Sequence, residues 1–164
     1  MKKIMYVIAM ALCLMACEKN SEGGSSTKGD YVDLGLTSGT KWKTANEMNP
    51  NDENGFYDYD LAMSLFEKNM PSKEQWMELV NECTWTWTGM GYRVTGVNNK
   101  SIVLPAAGYR NWDGNVYDMG SSGYYWSSTP YGSENAWRLV FRSYEIQMNE
   151  YLGRGIGLSV RLVR

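Results

Sequence analysis

Asp113 and Asp118, within residues 110–120 (RNWDGNVYDMG), are the side chains of this sequence best suited to acid–base work. Two carboxyls about 5 Å apart would serve a retaining glycosidase. Nothing in their spacing requires the two to meet, so a carboxylate hydrolase stands only as a remote alternative. The chain has no histidine. That removes the usual general base, a common zinc ligand and the Ser-His-Asp arrangement. Asp52, Glu53, Asp58 and Asp60 invite a calcium reading, but the D-x-D-x-D-G spacing of a calcium loop is absent. They are expected to be solvated loop acids and helix-start acids. No catalytic residue, metal or cofactor is assigned, and the chain is read as a non-enzyme.

Recognition chemistry is better represented. There are 7 Trp and 12 Tyr among 164 residues, together with 17 Gly. Residues 104–128 are dense in Gly, Tyr and Trp, with no Cys and no Lys. Exposed Tyr and Trp offer large contact areas at little rotamer entropy, while neighbouring Asn, Gln and Glu can bond to hydroxyls. Trp112 lies between Arg110 and Asp113 at a glycine turn, where a core role is hard to argue. Most of the other rings are expected in the core. A net charge of −2 and a pI near 5.2 argue against a nucleic-acid partner.

The N-terminus reads as a targeting segment. Lys2 and Lys3 precede an apolar run from Ile4 to Met15, which has the length of a signal core rather than a membrane span. Leu14-Met15-Ala16-Cys17 resembles a lipobox, which implies cleavage before Cys17 and lipidation of its sulfur. An ordinary signal peptide with a chance cysteine is the alternative. The expected layout is signal peptide 1–16, lipidated Cys17 with a flexible Gly/Ser-rich tether over 17–30, and one domain over 31–164. The anchor would place the protein on the outer membrane, with either face open. Cys13 would leave with the signal, so Cys83 has no intrachain disulfide partner and is expected to be a buried, inert thiol.

The elements that would position these residues follow from periodicity. Val32, Leu34 and Leu36 alternate with polar or small residues, as in a half-buried strand, and Trp42 is expected to pack under the next segment. Residues 60–69 suggest a short helix with Asp60 as N-cap and Leu61, Leu65 and Phe66 on one side. Residues 71–83 suggest a second. Ser72 and Gln75 stand in capping-box spacing, and Trp76, Leu79, Val80 and Cys83 form one stripe. Trp85 and Trp87 share a strand face. Residues 91–105 read as a hairpin with Asn98-Asn99 at its tip. In residues 136–148, Trp137, Leu139 and Phe141 alternate with Arg138, Val140 and Arg142, and a turn near Arg142 to Tyr144 makes a second hairpin. Leu158, Val160 and Leu162 share one face of a closing strand. A strand, then helices, then antiparallel strands make an α+β domain.

The stretches YVDLGLTSGTKW, MPSKEQWMELVNEC, IVLPAAGY, GYYWSS, NAWRLVF and GLSVRLVR occur in an order that resembles the Fibrobacter succinogenes major paralogous domain, abundant in Bacteroidetes lipoproteins. That family is similar to C-type lectin-like folds. These include formylglycine-generating proteins and the target proteins of diversity-generating retroelements. The resemblance spans nearly all of residues 31–164, and it implies two helices flanking a small antiparallel sheet with long loops. Formylglycine chemistry depends on a cysteine pair that the mature domain lacks, so that activity is not carried over. The calcium-binding sugar triplet of lectins is also missing. By resemblance to the retroelement targets, a ligand surface falls on Trp112, Tyr131, Glu134, Asn135, Tyr144, Gln147, Asn149 and Tyr151, with a glycan or a protein as partner. A structural envelope or pilus-associated lipoprotein is the alternative.

Overall fold

A computed structural model describes residues 31–164; the expected signal peptide, Cys17 and tether lie outside the described residues. The chain is mixed α+β. A short ladder pairs β1 (Tyr31–Asp33) with β2 (Lys41–Lys43). Two helices follow, α1 (Tyr59–Phe66) and α2 (Lys73–Glu82). Next comes a three-stranded antiparallel sheet of β3 (Thr84–Trp87), β4 (Gly91–Thr95) and β5 (Ser101–Pro105). A two-residue ladder of β6 (Tyr109–Arg110) and β7 (Val116–Tyr117) leads into the main sheet. That sheet is β8 (Ser122–Tyr131), β9 (Asn135–Arg142) and β10 (Glu145–Gly153), with β9 central.

Local chemistry sets the element ends. The expected capping box of α2 is complete: the Ser72 hydroxyl accepts from the Gln75 amide, and the Gln75 side chain accepts from the Ser72 amide. Helix α1 departs from expectation. It starts earlier, with Asp58 rather than Asp60 as N-cap, because the Asp58 carboxylate accepts from the Leu61 amide. Its buried residues are Tyr59 and Ala62, while Leu65 points to solvent. The hairpin tip forms as expected, with Asn99 at φ 64°.

Two cores sandwich the main sheet. The first gathers Trp42, Trp76, Leu79, Val94, Leu104, Tyr125, Leu139 and Phe141 between α2, β4, β5 and one sheet face. Trp42 packs on Trp76 with centroids 4.6 Å apart, and Trp85 and Trp87 both turn inward onto Tyr92 and Phe141. The second core lies on the opposite face, where Tyr124, Trp126, Ala136 and Val140 meet α1 and the C-terminal segment. Strand β9 is therefore covered on both sides. Val140, on the face opposite Leu139 and Phe141, is buried in the second core, and Arg138 on that face is half-buried beside Tyr124 and paired with Glu150 at 2.6 Å. The Trp76 indole donates to the Trp126 carbonyl and the Trp126 indole to the Tyr57 carbonyl, tying the two cores together through buried hydrogen bonds.

The C-terminal segment is not the regular strand that its alternation suggested. Residues 156–163 are all buried, and they pair only through isolated bridges, such as Tyr57 with Leu158 and Trp42 with Val163. Threaded between elements, the segment has no wet face to alternate with. Cys83 is the C-cap of α2 and packs half-buried against the same core as Trp76, Leu79 and Val80, and burial pushes its thiol up to about 11.

Candidate functional site

One end of the main sheet carries an exposed aromatic surface. In register, Tyr131 of β8 lies opposite Asn135 of β9, Tyr151 of β10 opposite Trp137, and Gly153 opposite Asn135. Side chains of directly paired residues, and of residues two apart, share a face. Tyr131, Asn135, Trp137, Tyr151 and Gly153 therefore share one face. The Tyr131 and Tyr151 rings stack across β9 with centroids 3.9 Å apart and planes 18° apart, while Trp137 meets both edge-on. Tyr131 and Tyr151 stay exposed at 42% and 47%. Further along this face Leu139 and Phe141 are buried in the first core. Helix α2 begins at Lys73, whose ammonium sits 3.2 Å from the centroid of the Trp137 ring. The aromatic end thus carries a fixed positive charge at its inner margin.

Trp112 extends this surface. It is 70% exposed, yet it is not adrift: a Cβ built on Gly155 would lie 2.0 Å from its ring, and one built on Gly153 would lie 3.3 Å from it. The indole therefore lies across a seat made by two residues without side chains, with its other side to solvent. The Gly153 position also borders the Asn135 amide oxygen, at 4.0 Å, which joins Trp112 to the Tyr131–Tyr151 stack. In the β8–β9 turn, the Glu134 carbonyl accepts from the amide of Arg154, the residue between Gly153 and Gly155. The Glu134 side chain is exposed in that turn.

A cleft of about 330 Å³ runs between α2 and β10 and is lined by Lys73, Met77, Val80, Gln147 and Asn149. Lys73 belongs to both the cleft and the aromatic end. Of the expected ligand residues, Trp112, Tyr131, Glu134, Asn135 and Tyr151 gather at the sheet end, and Gln147 and Asn149 line the adjoining cleft. Tyr144 does not join them. It is 79% exposed in the β9–β10 turn, at the far end of β9, roughly 25 Å away at the rise of a strand. Trp137 and Lys73 belong to the surface but were not anticipated. The alternation of β9 pointed to a core role for Trp137, which it keeps in part by packing half-buried against the first core, and the link between Lys73 and the sheet depends on tertiary packing.

The carboxylates considered for hydrolysis each have a separate partner. Asp113 accepts from the Asn115 amide and, at 2.6 Å, from the Tyr117 hydroxyl; that hydroxyl, with Asn115, holds its carboxyl below the usual range. Asp118 adopts φ 58° and accepts from the Tyr124 hydroxyl at 2.5 Å. No hydrogen bond joins the two acids. Asp52 organises its own loop through the Asn54 and Phe56 amides and lies 2.7 Å from Arg110 Nε as an ion pair. Among the described residues no group of three or more acidic, Cys or His side chains could hold a metal, and no helix is long and apolar enough to cross a membrane.

A family model described as a domain of unknown function, DUF8237, matches residues 94–163. Over that stretch the chain is similar to the family. It takes in the main sheet, Trp112 and the C-terminal segment, and leaves out both helices. No curated protein and no solved structure matches the chain.

Proposed function

We propose that this chain is a lipid-anchored, non-catalytic recognition domain of C-type lectin-like type, tethered to the outer membrane through Cys17, and that its ligand is a glycan read by the exposed sheet end. The observation that carries this reading is the continuity of Trp112, Asn135, Tyr131 and Tyr151 on one face that α2 leaves uncovered. A soluble domain gains nothing in fold stability from a solvent-facing Trp held flat, whereas sugar rings present the apolar faces that such an indole stacks on. The Asn135, Gln147 and Asn149 amides and the Glu134 carboxylate supply hydroxyl partners around the rings. Two helices against small antiparallel sheets, with long connections, support the lectin-like assignment.

The test is a glycan array probed with the full chain in detergent, beside a Trp112→Ala/Tyr151→Ala variant and a Tyr144→Ala control. A truncated binding hot spot costs about 2 kcal/mol or more, roughly thirtyfold in affinity. The double variant should lose the hits at an unchanged melting temperature, and the Tyr144 control should keep them. A silent array with native protein would defeat the glycan reading, and equal binding by the double variant would defeat this surface. Capture of a protein on the same face, lost in the same variant, would replace the glycan by a protein ligand.

A further inference from the structure

A second cavity lies away from the aromatic face. It measures about 420 Å³, within the range of small-molecule sites. Its walls come from the segment after β2, from β5 and from the C-terminal segment. Arg161, 1% exposed, lies in its floor. The guanidinium spans that floor: Nε donates to the Asn46 amide oxygen at 2.9 Å and Nη2 to the Val103 carbonyl at 2.8 Å, and both residues line the cavity. Nη1 donates to the Lys43 carbonyl at 2.8 Å.

Every one of these acceptors is neutral. No carboxylate lies within ion-pair distance of Arg161 among the described residues. Glu47, the acid on the cavity wall, is bound to Lys43. The neighbouring Tyr125 hydroxyl donates to the Pro105 carbonyl, accepts from Asn46, and is pushed up to about 12 by burial, so it stays a neutral phenol. Glu47 pairs directly with Lys43 and reaches Arg161 only through its field, so the three groups together carry one net positive charge. A buried cation is expensive unless paired. Three of its five N–H groups are engaged with the neutral acceptors above, and each Nη retains one further hydrogen. The rest of the lining is largely apolar, including Met48, Val103, Pro105 and Ala107.

We infer that this cavity is a binding site for a small monocarboxylate with an apolar body, its carboxylate seated on Arg161 and its body against Met48, Val103 and Ala107. A single net charge suits a monoanion, and the apolar walls suit a hydrocarbon tail rather than a phosphate. The site is independent of the aromatic face, so either can fail without the other.

The experiment titrates the full chain in detergent with hexanoate, and with hexanamide as the uncharged isostere, by calorimetry and by the Arg161 Nε–Hε resonance. Hexanoate should bind and shift that resonance, and hexanamide should bind about tenfold more weakly or worse, the loss of one charge-assisted contact. Val103→Trp starts from an exposed side chain, so it should fold while filling the cavity and abolishing binding. Arg161→Lys keeps the charge and should retain weakened binding. Absence of hexanoate binding at millimolar concentration overturns the proposal. Equal affinity for the amide, or binding that survives Val103→Trp, overturns it as well.

Discussion

Gly155→Ala should unseat Trp112 without unfolding the protein. The added Cβ would stand 2.0 Å from one ring carbon and 2.3 Å from another, while ordinary contact begins near 3.4 Å. The indole must therefore retreat by about 1.4 Å along that direction. Nothing behind the ring resists, since Trp112 is 70% exposed. Gly155 is exposed and lies outside the left-handed region, so alanine fits its backbone. Replacing glycine at such a site removes freedom from the unfolded chain, a gain of about 0.4–1 kcal/mol. The lost ring contact offsets part of that, and net stability should move by no more than ~0.5 kcal/mol. Ligand affinity should fall far more. If the ring supplies a typical aromatic hot spot, the loss is about 2 kcal/mol, roughly thirtyfold. Calorimetry against a glycan hit, run as a cycle with Trp112→Ala, reads the mechanism. Because Gly155 acts only through the ring, its substitution should cost nothing further in the Trp112→Ala background. A penalty that persists there would refute the seat, as would an unmoved Trp112 indole resonance in Gly155→Ala.

Two further outcomes test the frame that carries the site. Ser72→Ala removes one half of the α2 capping box and should cost about 1 kcal/mol, or roughly 3–5 °C in thermal midpoint by calorimetry; an unchanged midpoint would mean that the cap adds nothing. Cys83, with its thiol near 11, is only about 0.1% thiolate at pH 8, against roughly a quarter for a free cysteine. Disulfide-exchange labelling, read on the Cys83 peptide by mass, should be slow in the native chain and fast in urea, and equal rates would contradict its burial.

What the sequence disclosed was chiefly local. The capping box at Ser72 and Gln75, the Asn98-Asn99 tip and the Ser143-Tyr144 turn each depend on residues a few positions apart, and each formed where its spacing placed it. The errors come from surroundings that spacing does not encode. Asp60 was read as the cap of α1; Tyr59, 3% exposed and edge-on to Trp126, joins the helix and its start lies at Asp58 instead. Arg138 was read as outward because alternation presumes one wet face, and here a second core covers the face that it shares with Val140. The same presumption made a strand of residues 156–163, a segment enclosed on all sides.

The candidate site was half legible for the same reason. Its exposed rings, Trp112, Tyr131 and Tyr151, stand in turns or near strand ends, where a large ring has no evident core to enter. Trp137 resisted because it belongs to the alternation that buries Leu139 and Phe141, and it stands half-buried at the edge of that core, where α2 begins at Lys73. Helix length, rather than residue type, thus divides core from surface on this face. The start of α2 is set locally, by the capping box at Ser72 and by Pro71 before it, which holds Met70 in an extended conformation. Arg161 shows the converse. Its neighbours in sequence are apolar and its charge reads as a surface feature, yet Asn46, Lys43 and Val103, each more than fifty residues away, bring their oxygens to it. A buried charge held by neutral groups from two distant segments leaves no local signature, so a site of that kind is found only once the chain has folded around it.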